Sequence, residues 1–482
     1  MIAALVTVPL LIRGLGNERF GILTVGWVVI GYFGLFDFGL GRALTKLVAE
    51  RLASSDQDGV GELIWTAIFL TFLLGVVGAA ILALVTPTLV QQVLKISPGL
   101  EREAIRSFEL LALSLPLVIS TAGFLGVLEA SQSFGVVNAL RVPMGLFNYI
   151  GPLLVLPFSH SLVPVVALLV AGRLVGWIAY LIACLRVFPV LRKRVRLDWG
   201  QVVTLARFGG WMTVSNLVSP LMTHLDRFLI GALVSMAAVA YYTTPYELIT
   251  RLWLVPSALM GVFFPAFAAS FVQDRGHTAQ LLDRGVRAIF LALFPAALLA
   301  VTFAHEGMLL WLGKEYALRS TVVLQWLALG VFINCLAQVP FSLIQGIGRP
   351  DITGKLHLME LPVYVMSIWL FSREFGIEGV AMAWVLRVVV DTTILFAVSE
   401  RLLPTSGVFR RAIAMMVTAA AIFGVASLQH GLAAKSVFLV LVLGIFGVFA
   451  WFRLLSSAER AFVRGRFAPR LSASEGSPPA SA

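Results

Sequence analysis

Apolar runs of about 20 residues, the length that crosses a bilayer core as a helix, recur along almost the whole chain. Strands that line a membrane barrel alternate apolar and polar residues, and these runs do not alternate. Lipid offers the backbone no hydrogen-bond partners, so a chain made of such runs folds as a bundle of helices that satisfy their own N–H and C=O groups. Composition agrees: 59% of the residues are hydrophobic and only 13% are charged, against about 25% charged in an ordinary soluble domain. The fold class is an all-α polytopic membrane protein.

Taken in order, spans are expected near 1–12, 22–38, 61–86, 107–128, 135–157 and 162–185. A basic connector from Arg186 to Arg207 follows, holding Arg192, Lys193, Arg194 and Arg196. Further spans are expected near 208–234, 243–270, 286–305, 322–346, 356–371, 376–398, 411–428 and 436–453, about fourteen in all. The first run is short: some 12 apolar residues reach roughly 18 Å at 1.5 Å per residue, against a core of about 30 Å. The expectation is that residues preceding it have been lost, the other reading being a helix packed inside protein. A cleaved signal peptide is not expected, because no charged segment precedes the run and no small-residue cleavage site follows it.

Most of the 36 Lys and Arg residues fall on alternate loops and in the tail after Arg453, which carries Arg460, Arg464, Arg466 and Arg470 and then SASEGSPPASA. The positive-inside rule makes that side cytoplasmic and places both termini there, with the tail a basic, disordered segment. The same rule accounts for the net charge of +11 without a nucleic-acid partner. Cys184 and Cys335 both lie in apolar runs and imply neither disulfide nor metal framework.

A weak internal repeat divides the chain. LIRGLGNERFGILT (11–24) aligns in role with LIGALVSMAAVAYY (229–242), and FLGVLEASQSFGVVN (124–138) with FSLIQGIGRPDITGK (341–355), each a helix end, a short turn and a new helix. An even number of spans per unit keeps orientation, so two six-helix lobes would be parallel repeats around a central cavity. The expected division is an N-terminal lobe (1–200), a C-terminal lobe (201–403), two extra helices (404–455) and the tail (456–482).

Charges within or beside the spans are the candidate functional groups, because each costs roughly 3 kcal/mol or more in hydrocarbon unless it faces protein or water. Asp37, Arg42 and Lys46 cluster in VPLLIRGLGNERFGILTVGWVVIGYFGLFDFGLGRALTKLVAE (8–50). Arg42 and Lys46 either snorkel to the cytoplasmic surface or serve the cavity. Deeper in the chain lie Arg173, Arg227, Arg251 and Arg387, against Asp226, Glu247, Glu360 and Asp391. Glu247 with Arg251, and Arg387 with Asp391, have i,i+4 spacing and can meet on one helix face as self-neutralising pairs; Asp226 neighbours Arg227. Guanidinium groups left free match phosphate oxygens bidentately and stay charged. Arg173 stands out, with no acid near it in sequence; Arg42 and Arg141 come next, and Arg227, Arg251 and Arg387 complete the substrate-binding candidates. Asp37, Asp226, Glu247 and Asp391 are candidates for ion coupling, the competing role being a cap or salt bridge. His224, beside Asp226, is read as a packing residue. Proline inside or beside many spans, as at Pro116, Pro256 and Pro340, would kink or tilt them.

The motif P-L-L-I-R-x-L-G, then F-G, a long apolar helix and D-F-G-L-G-x-A-L-x-K resembles the start of the polysaccharide-export flippases. These are the Wzx-type lipid-linked oligosaccharide transporters of the multidrug/oligosaccharidyl-lipid/polysaccharide exporter superfamily. The resemblance extends over nearly the whole chain in span count and turn placement, and implies two six-helix lobes followed by two extra helices. It implies flipping of a polyprenyl-pyrophosphate-linked oligosaccharide across the bacterial inner membrane by alternating access, for O-antigen or exopolysaccharide. Membrane lipids, and the polymerase and export machinery of the polysaccharide, are the partners it implies. No position matches a motif sharp enough to carry a binding residue across. Neither a phosphate-cradling loop nor an HExxH pair is present, the loops are short, and no cofactor is expected, so the reading is not an enzyme. The alternatives are a multidrug or organic-cation antiporter with an acidic cavity, a lipid II flippase, and a membrane glycan ligase or polymerase.

Overall fold

The computed structural model describes residues 2–33, 44–45, 47–48, 51, 59–131, 133–192, 196–198, 200, 225–404, 407–455 and 460, all of them in helices, turns and short connections. Helix α1 (Ile2–Leu15) ends at Gly16, whose φ of 82° reverses the chain into α2 (Asn17–Phe33). The long α3 (Val60–Thr88) finishes in a π turn at Leu89–Val93. Helices α4 (Glu101–Leu113) and α5 (Leu115–Ala130) occupy the run around the expected 107–128 span. That run is two helices because Pro116 lacks an N–H and breaks the ladder at Ser114. Then come α6 (Phe134–Val155) and α7 (Leu162–Val187), the latter capped by Ser161, whose side chain accepts from the Val163 N–H.

In the second half, α8 (225–233) turns at residues 234–235 into α9 (Met236–Ile249), capped by Ser235. A 3₁₀ turn, Thr250–Trp253, joins α9 to α10 (Leu254–Gln273), so the expected 243–270 span starts earlier and breaks midway. Helices α11 (Arg275–Thr302), α12 (Ala304–Leu312) and α13 (Lys314–Gly346) follow. The helical stretch α14 (Pro350–Leu402) holds two spans, because Gly376 at φ 58°, ψ −133° interrupts it. Finally α15 (Val408–Ser427) and α16 (Leu432–Phe449) end in a π turn at Ala450–Leu454.

Among the described residues, nine helical stretches are long and apolar enough to cross a membrane. The fold is that of an all-α polytopic membrane protein with about fourteen helices. The chain turns between helices at Gly16, at 234–235 and at 347–349, three of the positions aligned in the repeat.

Helices α1–α7 pack chiefly on one another, α3 on α5 and α7 on both α4 and α6. In the other half α13 is central, flanked by α10, α11, α12 and α14, while α15 and α16 lie outside against α11. Outward faces expose large apolar side chains such as Leu84 at 79%, Val440 at 70% and Ile445 at 70%, which water would not tolerate and lipid does. The two lobes meet where α2 packs on α9. Close approach there requires glycine: a Cβ on Gly21 would stand 1.9 Å from the Met236 carbonyl oxygen.

Candidate transport cavity

A cavity of about 570 Å³ lies between the lobes. The N-terminal lobe contributes Phe20, Thr24, Trp27 and Val28 from α2, Asn148 and Tyr149 from α6, and Arg173 from α7. The C-terminal lobe contributes Arg227 from α8, Thr243, Thr244 and Glu247 from α9, Arg251 from the 3₁₀ turn, and Trp311 from α12. Three arginines predicted from sequence thus face one space, against a single glutamate.

Their partners differ in kind. Arg173 donates to Ser114 Oγ at 2.8 Å, and no carboxylate lies within ion-pair reach of it among the described residues. Ser114 Oγ itself donates to the Leu111 carbonyl at 2.7 Å, which leaves its lone pairs to accept from Arg173. Arg227 is buried at 5% exposure and donates to Glu247 Oε1 at 2.8 Å, with its guanidinium 5.0 Å from the Tyr246 ring centre. Arg251 reaches the other oxygen of Glu247 at 3.3 Å, the expected i,i+4 contact. One carboxylate therefore serves two guanidinium groups, and positive charge remains facing the cavity. Phe20, Trp27, Tyr149 and Trp311 supply broad apolar walls.

Asp226 does not pair with the Arg227 side chain. It accepts from the Arg227 backbone N–H and from the Tyr242 hydroxyl, both at 2.8 Å. Arg141 is exposed on α6 and one helical turn from Gly145, which lines the cavity, so it stands beyond the wall on the same face. Asp37, Arg42, Lys46 and His224 lie outside the described residues.

Arg387 and Asp391 lie away from this cavity, around a smaller one of about 260 Å³ within the C-terminal lobe. The expected i,i+4 pair gives way to contacts between helices. Arg387 Nε is 3.5 Å from Glu360 Oε2, and Asp391 Oδ1 is 3.9 Å from His357 Nε2. Sequence reasoning did not single out His357; its i,i+3 spacing to Glu360 within an apolar span was the available signal.

Polar contacts cross the lobe seam near the Gly16 turn. Asn17 Nδ2 donates to the Tyr241 hydroxyl at 2.8 Å and to Glu315 Oε2 at 3.3 Å, and Tyr241 donates to Glu315. Lys95 Nζ donates to the Leu233 carbonyl at 2.6 Å, and its backbone N–H to the Gly231 carbonyl at 2.9 Å. Arg19, bidentate on Glu103 at 3.0 and 3.1 Å, braces α2 beside this seam.

Comparison with known proteins accords with this architecture. The family model for polysaccharide biosynthesis proteins matches residues 1–271, more than half of the chain. The chain belongs to that family. This polysaccharide biosynthesis protein is 31% identical over 399 residues to a Shigella flexneri protein named for O-antigen transport, covering 82% of the chain and 93% of the relative. Its fold is similar to the inward-facing conformation of a multidrug resistance MATE family transporter of the MOP superfamily. That match has a TM-score of 0.71 and 14% identity, over 87% of the chain and 96% of the transporter. It is also similar to the lipid II flippase MurJ in an inward closed conformation, with a TM-score of 0.69 and 12% identity, over 93% and 96% respectively. The family and the nine apolar helical stretches make it a multi-pass membrane protein of polysaccharide biosynthesis.

Proposed function

We propose that the protein is a flippase that moves a polyprenyl-pyrophosphate-linked oligosaccharide from the inner to the outer leaflet of a bacterial inner membrane, supplying O-antigen or exopolysaccharide synthesis. The observation that carries this reading is the inter-lobe cavity in which Arg173, Arg227 and Arg251 face a single Glu247. Three fixed cations and one anion suit a pyrophosphate, whose oxygens accept paired guanidinium N–H bonds. The aromatic walls offer apolar faces to sugar rings and to the polyprenyl stem. An organic cation would meet repulsion there, which argues against the multidrug antiporter reading.

The mechanism is positional, with no bond made or broken. With both termini cytoplasmic, the Gly16 turn and its seam contacts lie at the outer face, and the cavity opens inward. The 1–200 and 201–403 lobes rock about the bound headgroup, the Asn17, Tyr241 and Lys95 contacts part, and the pyrophosphate leaves outward. Helices α15 and α16 flank the C-terminal lobe, and the tail after Leu455, apart from Arg460, lies outside the described residues. A polymerase that consumes the flipped lipid is the partner the product requires.

The test is binding of synthetic polyprenyl pyrophosphate to the purified full-length protein in nanodiscs. Saturable binding that weakens with Arg173→Ala supports the reading; equal affinity for a polyprenol lacking phosphate contradicts it.

A further inference from the structure

We propose that Glu360 and Asp391 together hold one proton, forming a site in the C-terminal lobe separate from the glycan cavity. Both carboxyls come from α14, on opposite sides of the Gly376 break; Asp391, His357 and Arg387 line the 260 Å³ cavity, and Glu360 stands behind Arg387 beside it. Glu360 is 7% exposed and Asp391 is 6% exposed. Ligand atoms of Glu360, Asp391 and His357 all lie within 4.8 Å of one another. Glu360 Oε1 and Asp391 Oδ1 are buried and accept no hydrogen bond from any donor among the described residues. Two acceptor-only oxygens left bare at close range in a buried site are the arrangement that one shared proton satisfies at both ends.

Charge counting points the same way. Arg387 touches Glu360; with His357, 3.9 Å from Asp391, as a neutral imidazole, two ionised carboxylates would leave one negative charge unbalanced in the lobe interior. Among the described residues, the elements lining the cavity supply no further cation. Helix α13 presents Asn334, Gln338 and Phe341, and the 3₁₀ turn presents Trp253. Tyr246 lines the cavity and Tyr364 lies 5.3 Å from the Arg387 guanidinium, while Asp226 on α8 is held by the Tyr242 hydroxyl and the Arg227 N–H. A metal cation is the poorer occupant, because the Arg387 guanidinium already stands against Glu360.

Tyr246 connects this site with the transport cavity. Its ring lies 5.0 Å from the Arg227 guanidinium on one side and lines the 260 Å³ cavity on the other. Loss of the proton would free Glu360 and Asp391 to compete for Arg387, shifting the two halves of α14 against α9. The use of the proton to drive transport rests on the flippase reading; its presence does not.

Infrared difference spectroscopy on the purified full-length protein, without substrate, tests the site directly. The expected result is a buried protonated-carboxyl band near neutral pH that is insensitive to sodium and absent from both Glu360→Gln and Asp391→Asn. Absence of that band from the wild-type protein, its persistence in both variants, or its removal by sodium would overturn the proposal, the last in favour of a cation site. In proteoliposomes, Glu360→Gln should still bind polyprenyl pyrophosphate while losing the several-fold acceleration that a pH gradient gives the wild type. Acceleration equal to that of the wild type overturns the coupling role. Failure of the wild type itself to bind the lipid counts against the flippase reading and leaves the spectroscopic result standing.

Discussion

Gly21 lies so close to the Met236 carbonyl that a Cβ would stand 1.9 Å from its oxygen. Backbone cannot yield as a flexible side chain does, so a methyl group there must push α2 away from α9. Overpacking of this kind costs about 1–3 kcal/mol. Gly21→Ala is therefore expected to part the seam. Spin labels at the exposed Arg102 and Lys314, one on each lobe, should report a longer mean distance in the variant; an unchanged distribution would mean that the seam is not a gate.

Arg173→Ala is expected to abolish export while the protein remains inserted and abundant. Arg173 has Ser114 as its side-chain hydrogen-bond partner at 2.8 Å, so its removal strands no buried acid. Loss of a charge-assisted bond to pyrophosphate should weaken binding by about 1.5–3 kcal/mol, roughly 10- to 150-fold. Arg173→Lys should recover part of it, since a lysine keeps the charge and loses the paired geometry. Normal export by Arg173→Ala would remove this residue from the site.

Glu247→Gln should be felt in stability as well as transport. Arg227 is 6% exposed in its side chain and depends on Glu247 at 2.8 Å, with the Tyr246 ring as its remaining partner. Breaking a buried ion pair costs roughly 3–5 kcal/mol, and the 43% exposure of Glu247 places this one toward or below the lower figure. Thermal unfolding in detergent should show a lowered midpoint. An unshifted midpoint would mean that Arg227 does not rely on Glu247.

The sequence made some of this legible for identifiable reasons. Arg173 was conspicuous because no acid stands near it in the chain, and Glu247 with Arg251 because i,i+4 residues share a helix face. Arg387 and Asp391 have the same spacing, yet Glu360 and His357 across the Gly376 break compete for them. Local spacing does not see such partners. The seam was hidden for the same reason: Asn17 and Tyr241 are 224 residues apart, and neither is unusual within its own helix. The α4–α5 break was signalled by Pro116, although hydropathy runs unbroken through Ser114 and the run reads as one span.

Acid should loosen the flanking helices. Lys435 on α16 donates to both carboxylate oxygens of Glu306 on α12 at 2.9 Å. Burial pushes the Glu306 carboxyl up, but the Lys435 hydrogen bonds and charge outweigh it and hold the group below its usual value of 4.5. The folded state thus binds this proton less readily than the unfolded chain. Its contribution to stability is complete above about 4.5 and is lost as the pH falls through the lowered value. Melting temperatures measured across that range should fall more steeply for the wild type than for Glu306→Gln; parallel curves would mean that the pair adds nothing.

The central claim is most directly tested by mass spectrometry of the lipid-linked glycans in membranes of a strain lacking this protein. The account predicts accumulation of a polyprenyl-pyrophosphate oligosaccharide together with loss of the surface polymer, both reversed by the wild-type gene and not by Arg173→Ala. An unchanged lipid pool in cells that have become drug-sensitive would contradict it and favour an antiporter.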